Sequence, residues 1–146
     1  MAGVAGRVAL VTGGGRGIGR ATAALLASRG AGVMCVSRTR QELEDVGLDY
    51  VVADLGTTEG CSKAVVETRQ RLGPVEILVC NHGIGSAQEN VIWNQAPEVW
   101  QETMRVNLDG PFYLSRLVLR EMVECRYGRA VYVSSTAGLV AEHAGS

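Results

Sequence analysis

The sequence contains 146 residues (15.5 kDa), of which 47% are hydrophobic and 20% charged, and its formal net charge is −1. This length predicts a single domain, residues 1–146, and the apolar content excludes an intrinsically disordered protein. The balanced charge argues against a nucleic-acid partner, and no apolar run approaches the ~20 residues that span a bilayer. The N-terminal residues also lack the basic segment and apolar stretch of a signal peptide.

The elements predicted from the pattern alternate along the chain. In chain order they are a strand at 7–12, a helix at 17–29, a strand at 32–37, a short helix at 40–46, a strand at 49–53, a helix at 57–72, a strand at 75–80, a long helical region from 97 to about 126 and a strand at 128–135. Strands that alternate with helices are typical of a parallel sheet with helices on both faces. We therefore predict the α/β class.

Two details of the helices can be tested against a structure. Ile18, Ala21, Leu25 and Leu26 share one face of the first helix and are expected to form its apolar side. Pro111 falls inside the long helical region and is expected to kink or divide it.

The cysteines and histidines bear on location and metal binding. Cys35, Cys61, Cys80 and Cys125 are far apart with no Cys-x-x-Cys pair, and two of them lie within strand-like runs. Such buried thiols fit a reducing, cytoplasmic setting. Neither of the two histidines has a metal-ligand spacing to cysteines or carboxylates, so we predict no metal site.

A glycine-rich segment, TGGGRGIG at residues 12–19, connects the first predicted strand to the first helix. Backbone N–H groups at a helix N-terminus and the helix dipole bind a pyrophosphate, and glycines allow its close approach. The position within a strand–helix–strand unit favours dinucleotide binding over a plain tight turn. A Walker-type phosphate loop is excluded because Gly19 is followed by Arg20-Ala21 instead of Lys-Ser/Thr.

The spacing Thr-Gly-x-x-x-Gly-x-Gly resembles that of the short-chain dehydrogenase/reductase family. Four further segments match that family in order, namely Asp54-Leu55, Cys80-Asn81-His82-Gly83, Met104-x-x-Asn107-x-x-Gly110 and Val133-Ser134-Ser135-x-x-Gly138. His82 stands where the family usually has a small residue. The resemblance implies a Rossmann-type three-layer α/β/α fold and hydride transfer between a nicotinamide and a carbonyl or secondary alcohol, as in 3-oxoacyl-carrier-protein reductases.

The end of the second strand predicts which nicotinamide cofactor binds. A carboxylate there favours NAD, whereas an arginine accommodates the 2′-phosphate of NADP. The strand ends Ser37-Arg38, Arg16 could approach the same phosphate, and Glu42 lies too far along the chain for the acidic role. We therefore expect NADP(H) as the preferred cofactor and NAD(H) as the second candidate. The alternative interpretation of Arg16 and Arg38 is that both are solvated surface residues with no role in cofactor binding.

The resemblance also implies roles for individual residues. Ser135, rather than Ser134, would hydrogen-bond the substrate oxygen, and Asn107 would hold a water in a proton relay. Asn81 would join neighbouring strands, and Asp54 would contact the adenine or only cap the strand end. The complete set assigned to the cofactor is Gly13, Gly15, Arg16, Gly17, Ile18, Gly19, Ser37, Arg38, Asp54, Leu55, Asn81 and Gly83.

The general acid/base pair of the resembled family is absent from the sequence. That family uses Tyr-x-x-x-Lys, and none of the four tyrosines here is followed by lysine at the fourth position, since Lys63 is the only lysine. In the family the pair follows the catalytic serine by roughly a dozen residues. We therefore expect a cofactor-binding part that lacks the later strands, is inactive alone, and belongs to a homo-oligomer (a dimer or tetramer) when full length. The alternative is a dinucleotide-binding remnant without chemistry.

Overall fold

The computed structural model describes residues 3–85 and 92–136. They form a five-stranded parallel sheet of β1 (Val8–Thr12), β2 (Gly32–Ser37), β3 (Asp49–Val52), β4 (Ile77–Cys80) and β5 (Arg129–Tyr132), in the spatial order β3-β2-β1-β4-β5. The helices are α1 (Gly17–Ser28), α2 (Arg40–Glu44), α3 (Thr58–Arg71), α4 (Pro97–Met104) and α5 (Gly110–Glu124). The prediction of a Rossmann-type parallel α/β fold is confirmed.

Two apolar layers hold the helices against the sheet. Leu10 of β1 is in register with Met34 and Leu78, and this row packs with buried residues of α3 and α5, among them Val65 and Leu114. The alternate residues of the strands point to the other face, where they pack with Ala23 of α1 and Leu43 of α2. Because helices cover both faces of the sheet, the central strands are continuous apolar runs. Their positions can therefore be predicted from the sequence.

The apolar face expected for α1 is wrong. Ile18 is 66% exposed and Leu25 51% exposed, whereas Gly19 and Ala23 are buried and Leu26 is partly buried against the sheet. The small residues at 19 and 23 are four positions apart, so they lie on one side of the helix and let its backbone approach the sheet closely. Of the larger apolar residues of α1, Ile18 and Leu25 consequently face outward and Leu26 packs against the sheet.

The long helical region is divided by a π-helical turn, Arg105–Asp109, between α4 and α5. At its end the Gly110 N–H bonds to the Arg105 carbonyl, five residues back. Pro111 has no N–H with which to continue the α-helical ladder, so it lies in the first turn of α5, where that donor is not needed. The expected division is present, but it begins ahead of Pro111.

The predicted bounds of β2 are the observed ones, and those of the other elements differ by one to a few residues. Thr57 is the N-cap of α3, at the first residue of the helix predicted over 57–72, and accepts a hydrogen bond from the Gly60 N–H at 3.0 Å. β4 and β5 are shorter than predicted, and a 3₁₀ turn, Ile92–Asn94, lies between β4 and α4. No helix within the described ranges is long and apolar enough to cross a membrane.

Candidate cofactor-binding site

A cleft of about 440 Å³ opens at the carboxyl ends of β1, β2, β3 and β4. This edge is where ligands bind in open α/β sheets, because the loops that leave parallel strands meet there. Ten of the predicted cofactor residues line it, namely Gly13, Arg16, Gly17, Ile18, Ser37, Arg38, Asp54, Leu55, Asn81 and Gly83. Six lining residues were not predicted as cofactor ligands, namely Thr39, Glu42, Ala53, His82, Ile84 and Val106.

The glycine loop presents an open helix N-terminus to this cleft. Gly17 begins α1 with φ of +54°, and a Cβ there would meet no atom within 4 Å. Arg16 at the N-cap makes no side-chain capping bond, and the first turn of α1 carries no acidic residue. The first N–H groups of α1 therefore have no capping side chain, and together with the positive end of the helix dipole they suit an anionic ligand such as a pyrophosphate.

Gly15 and Gly19 are not among the lining residues. A Cβ on Gly19 would collide with the Gly13 carbonyl oxygen and lie 2.5 Å from Asn81 Nδ2. A Cβ on Gly15 would lie 2.8 Å from the Glu42 Cβ. These two glycines let α1 and α2 pack closely against the glycine loop. They therefore affect the shape of the cleft and do not line it.

Asn81 and Thr12 join the ends of β4 and β1. Thr12 Oγ1 lies 2.9 Å from the Asn81 N–H and 3.1 Å from the Val79 carbonyl, and Asn81 Nδ2 donates to the Thr12 carbonyl at 3.2 Å. The bonds run between neighbouring strands and fix the loop that follows β4 against the glycine loop.

The two arginines expected at the 2′-phosphate both lie at the cleft, and each has a glutamate nearby. Arg16 Nε is 3.9 Å from Glu42 Oε1, and Arg38 Nη1 is 3.9 Å from Glu102 Oε1. Arg16 is 84% exposed and Arg38 58%, so these long, exposed ion pairs hold the guanidinium groups only weakly. Ser37 Oγ is 3.2 Å from both the N–H and the carbonyl oxygen of Thr39.

Glu42, which was expected to lie too far along the chain for the acidic role at the ribose, nevertheless lines the cleft. Helix α2 turns back after β2 and brings Glu42 to the cleft lining beside Arg16. Only the helical return of the segment places it there, and a count of residues from the end of β2 does not reveal this.

Asp54 belongs to a charged network at the end of β3. Its Oδ1 accepts from the Gly56 N–H at 3.0 Å, and its Oδ2 accepts from Arg105 Nη1 at 2.9 Å. Glu102 receives two bonds from Arg105, at 2.6 and 2.7 Å. Burial raises the pKa of Asp54. The hydrogen bonds from Gly56 and Arg105 and the charges of Arg105 and Arg38 lower the pKa by more than burial raises it, so the net shift is downward.

The two residues expected to take part in catalysis do not line the cleft. Asn107 lies in the π-helical turn, where Oδ1 accepts from the Ile84 N–H and Nδ2 donates to the Ile84 carbonyl, both at 2.8 Å. Ser135 lies three residues beyond β5, at the same edge of the sheet as the cleft, and its side chain is exposed. Their catalytic roles stay predictions.

The buried cysteines give no reactive group to the site. Burial raises the pKa of Cys35 to about 11 and that of Cys80 to about 12, so both thiols are protonated at neutral pH. Among the described residues no group of three or more histidines, cysteines or carboxylates is arranged to hold a metal ion.

Comparison with known proteins agrees with this geometry. The family model described as short chain dehydrogenase matches residues 7–146. The 3-oxoacyl-[acyl-carrier-protein] reductase FabG of Escherichia coli (strain K12) is 37% identical over 140 residues, which cover 91% of this chain and 56% of that protein. A short chain dehydrogenase of Pseudocercospora fijiensis (strain CIRAD86) is 34% identical over 140 residues, covering 89% of this chain and 45% of that protein.

A solved structure has the same fold. The crystal structure of levodione reductase superimposes with a TM-score of 0.90 and 29% sequence identity, covering 97% of this chain and 59% of that one. The chain thus spans about half the length of the curated relatives it matches. With a family model that matches nearly its whole length, the chain belongs to the short-chain dehydrogenase family.

Proposed function

We propose that this chain is the cofactor-binding part of an NADP(H)-dependent oxidoreductase that acts on a carbonyl compound or secondary alcohol. The observation that carries the proposal is the cleft, where an uncapped helix N-terminus and two arginines surround one space at the carboxyl edge of the sheet. Bound NADP(H) would supply the hydride donor or acceptor. The names of the curated relatives favour a 3-oxoacyl thioester on acyl carrier protein as the substrate class.

The lining residues suit the parts of a dinucleotide in sequence along the cleft. Gly13, Gly17 and Ile18 would hold the pyrophosphate at the start of α1. Asp54 and Leu55 would lie at the adenine, although the Asp54 carboxylate is already bonded to Arg105 and Gly56. Asn81 and Gly83 follow β4, in a loop that Asn81 fixes to the end of β1. Gly83 has no side chain, so this loop would leave room for the nicotinamide.

The preference for NADP(H) rests on Arg16, Arg38 and Ser37. The arginines would exchange their long contacts to Glu42 and Glu102 for bonds to the 2′-phosphate, since a guanidinium matches a phosphate in geometry and charge. Glu42 opposes this preference because it places a carboxylate within the same lining. NAD(H) binding therefore stays the alternative.

Titration of the chain with NADPH and NADH tests this proposal. We expect NADPH to bind at least tenfold more tightly, and Arg38→Asp to reverse the order because it replaces a phosphate ligand with a repelling charge. Arg40→Asp, two residues along in α2, is the matched control for a general loss of positive charge. Equal or tighter binding of NADH by the unmodified chain would refute the NADP(H) assignment.

For the chemical step we propose that Ser135 orients the substrate oxygen and that Asn107 supports a proton relay. The acid/base pair Tyr-x-x-x-Lys is not in this sequence, since no tyrosine is followed by lysine at the fourth position. The exposed position of Ser135 beyond β5, at the edge that carries the cleft, supports its role.

The second candidate function is dinucleotide binding without turnover, and the missing pair favours it for these 146 residues alone. A neutral tyrosine with a pKa near 10 is a poor base at neutral pH without an adjacent lysine. Incubation of the chain with NADPH and a 3-oxoacyl thioester separates the two candidates. Binding without NADPH oxidation supports the second, and oxidation at a reductase-like rate that Ser135→Ala abolishes supports the first.

The partners proposed for the whole protein are a small-molecule substrate and further copies of itself. An exposed apolar stripe on the outer face of the π-helical turn and α5 supports homo-oligomerisation, because Leu108, Phe112, Leu119 and Val123 recur at helical spacing. Cysteines that are free in the described residues suit the reducing, cytoplasmic location predicted from the sequence.

A further inference from the structure

The carboxylate of Glu102, on α4, is held by two charge-assisted hydrogen bonds. Arg105, three residues further along the chain, donates from Nε to Glu102 Oε2 at 2.6 Å and from Nη2 to Glu102 Oε1 at 2.7 Å. A bidentate pair of this kind fixes the direction of a carboxylate as well as balancing its charge. Glu102 therefore has a defined position although its side chain is partly exposed.

The guanidinium of Arg105 is fixed in turn by the loop that follows β3. Its Nη1 donates to Asp54 Oδ2 at 2.9 Å, while Asp54 Oδ1 accepts from the Gly56 N–H at 3.0 Å. A Cβ on Gly56 would collide with Arg105 Nη1, so the guanidinium packs directly against this loop. Arg105 therefore anchors Glu102 to the part of the cleft wall that Asp54 forms.

The anchored carboxylate lies beside an arginine of the cleft. Glu102 Oε1 is 3.9 Å from Arg38 Nη1. Arg38 lines the cleft, whereas Glu102 and Arg105 are not among the lining residues. Glu102 is therefore placed to influence a ligand in the cleft through Arg38.

The charges of this network balance one another. Two arginines, Arg38 and Arg105, face two carboxylates, Asp54 and Glu102. Hydrogen bonding from Arg105 and the charge of Arg38 lower the pKa of Glu102. Burial and the charge of Asp54 oppose that shift without cancelling it, so Glu102 is ionised at neutral pH. A phosphate at Arg38 would consequently approach a cation that already has a fixed carboxylate beside it.

We propose that Glu102 is a specificity-determining residue that limits the preference for a 2′-phosphate, and that Arg105 is a positioning residue that moderates this effect. Glu102 competes with the phosphate for Arg38, while the two bonds from Arg105 hold the carboxylate and balance its charge. Without Arg105, two carboxylates would share one arginine. The inference rests on the proposed function, because it takes Arg38 as the phosphate ligand, but it concerns how affinities change and not which nucleotide binds more tightly.

Titrations with adenosine 2′,5′-bisphosphate and adenosine 5′-monophosphate test the competition, since the two probes differ only in the 2′-phosphate. We expect Glu102→Gln to raise the preference for the bisphosphate about two- to fivefold, the range set by one exposed ion pair. Glu98→Gln, one turn earlier on α4, is the matched control for loss of a negative charge and should change the preference less. An unchanged preference in Glu102→Gln, or an equal rise in Glu98→Gln, would overturn the proposal.

An Arg38→Met background shows whether Glu102 acts through Arg38. There Glu102→Gln should change the preference no more than Glu98→Gln does, and a full effect would contradict the proposed route. These results concern changes in a ratio, so they can be read even in a chain that prefers the monophosphate. A wrong NADP(H) assignment is therefore distinguishable from a wrong role for Glu102.

The positioning role of Arg105 predicts a change of opposite sign. Arg105→Met should lower the preference for the bisphosphate about as much as Glu102→Gln raises it, and the double variant should return close to the unmodified chain. A merely structural loss would weaken both probes alike and leave their ratio unchanged. An unchanged or raised ratio in Arg105→Met would therefore refute the positioning role.

The contact between Glu102 and Arg38 can also be measured without any nucleotide. The carboxyl ¹³C signal of Glu102, identified by its loss in Glu102→Gln, is followed through a pH titration of the full chain. Arg38→Met should raise the pKa of Glu102, because it removes one of the charges that lower this pKa. Arg40→Met is the matched control and should have a smaller effect. No difference between the two variants would overturn the proposal, whichever nucleotide binds.

Discussion

The two edges of the sheet are protected differently. On the outer side of β3, Lys63 Nζ donates to the Val52 carbonyl at 3.0 Å and Arg71 Nη1 donates to the Tyr50 carbonyl at 3.1 Å. Tyr50 and Val52 are alternate residues, so their carbonyls point away from β2. Two cationic side chains of α3 thus occupy acceptors that another strand would need, and they make β3 a closed edge.

β5 at the opposite edge has no such protection among the described residues. All four of its residues are exposed, and Val131 and Tyr132 are each 50% exposed. The N–H groups of Arg129 and Val133 bond to β4, so by alternation the polar groups of Ala130 and Tyr132 point outward. Within residues 3–85 and 92–136 no lysine or arginine bonds to these outward groups in the way that Lys63 and Arg71 bond to β3. The β5 edge is therefore open to pairing with a further strand.

The largest effect that we expect from this difference is on self-association. Ala130→Pro removes an outward N–H without breaking the ladder to β4, so it should block pairing at the open edge and reduce the associated fraction of the chain several-fold. Light scattering over a range of concentrations measures that fraction. Val131→Pro is the matched control, because it removes an N–H that faces β4 and should unfold the strand. Association that persists in a folded Ala130→Pro chain would show that β5 is not the surface involved.

The next largest effect that we expect is a loss of stability at the end of β3, where the ion pair between Arg105 and Asp54 holds the loop that follows the strand. Arg105→Met removes a bond to Asp54 at 2.9 Å, and we expect a loss of about 1 kcal/mol at pH 7, because both groups are about one-third exposed and solvent screens the pair.

The pH dependence of that loss follows from the lowered pKa of Asp54. A carboxyl group with a lowered pKa in the folded state contributes stability above its unfolded pKa of about 3.9, and loses it as the pH falls through the folded value. The difference between wild type and Arg105→Met should thus shrink below about pH 4 in urea unfolding curves. In an Asp54→Asn background Arg105→Met should show a smaller trend, because Glu102, whose pKa Arg105 also lowers, remains. A trend as large as in the Asp54 chain would show that Asp54 does not contribute to it.

Much of the fold follows from the sequence because apolar runs mark strands that are buried on both faces. Gly32–Ser37 was predicted at its observed bounds for this reason. The same apolar pattern also predicted β5, yet that strand is exposed on the described surface, since a pattern reports apolarity and not what covers it. In α1 the pattern failed because hydrophobicity favours Ile18 and Leu25, whereas close packing selects the small residues Gly19 and Ala23.

The site was predictable where a loop's own residues form it. Gly13 and Asn81 directly follow strands and Gly17 begins the helix after β1, so their place at the carboxyl edge is a consequence of the strand order. Glu42 and His82 were not, because their roles depend on other segments. Glu42 requires the return of α2, and the imidazole of His82 requires the space left by Gly110 at the start of α5.

The smallest effect that we expect on stability, and the one that tests the closed edge most directly, comes from Lys63 and Arg71. The double variant Lys63→Met, Arg71→Met keeps the aliphatic parts of both side chains but removes their charges. Because both groups are exposed, the free energy of unfolding should fall by less than about 1 kcal/mol. Association should nevertheless rise, since the Tyr50 and Val52 carbonyls become available to another strand.

An Ala130→Pro background makes this measurement specific to β3, because the open edge is then already blocked. Lys63→Arg with Arg71→Lys is the matched control and should associate no more than its parent, since both donors remain. High salt should raise association of the parent toward that of the double variant, because it screens the exposed charges that cap the strand. If the double variant stays as monomeric as its parent at every salt concentration, the two cations do not protect β3, and the short length of that strand is the remaining physical reason for its closed behaviour.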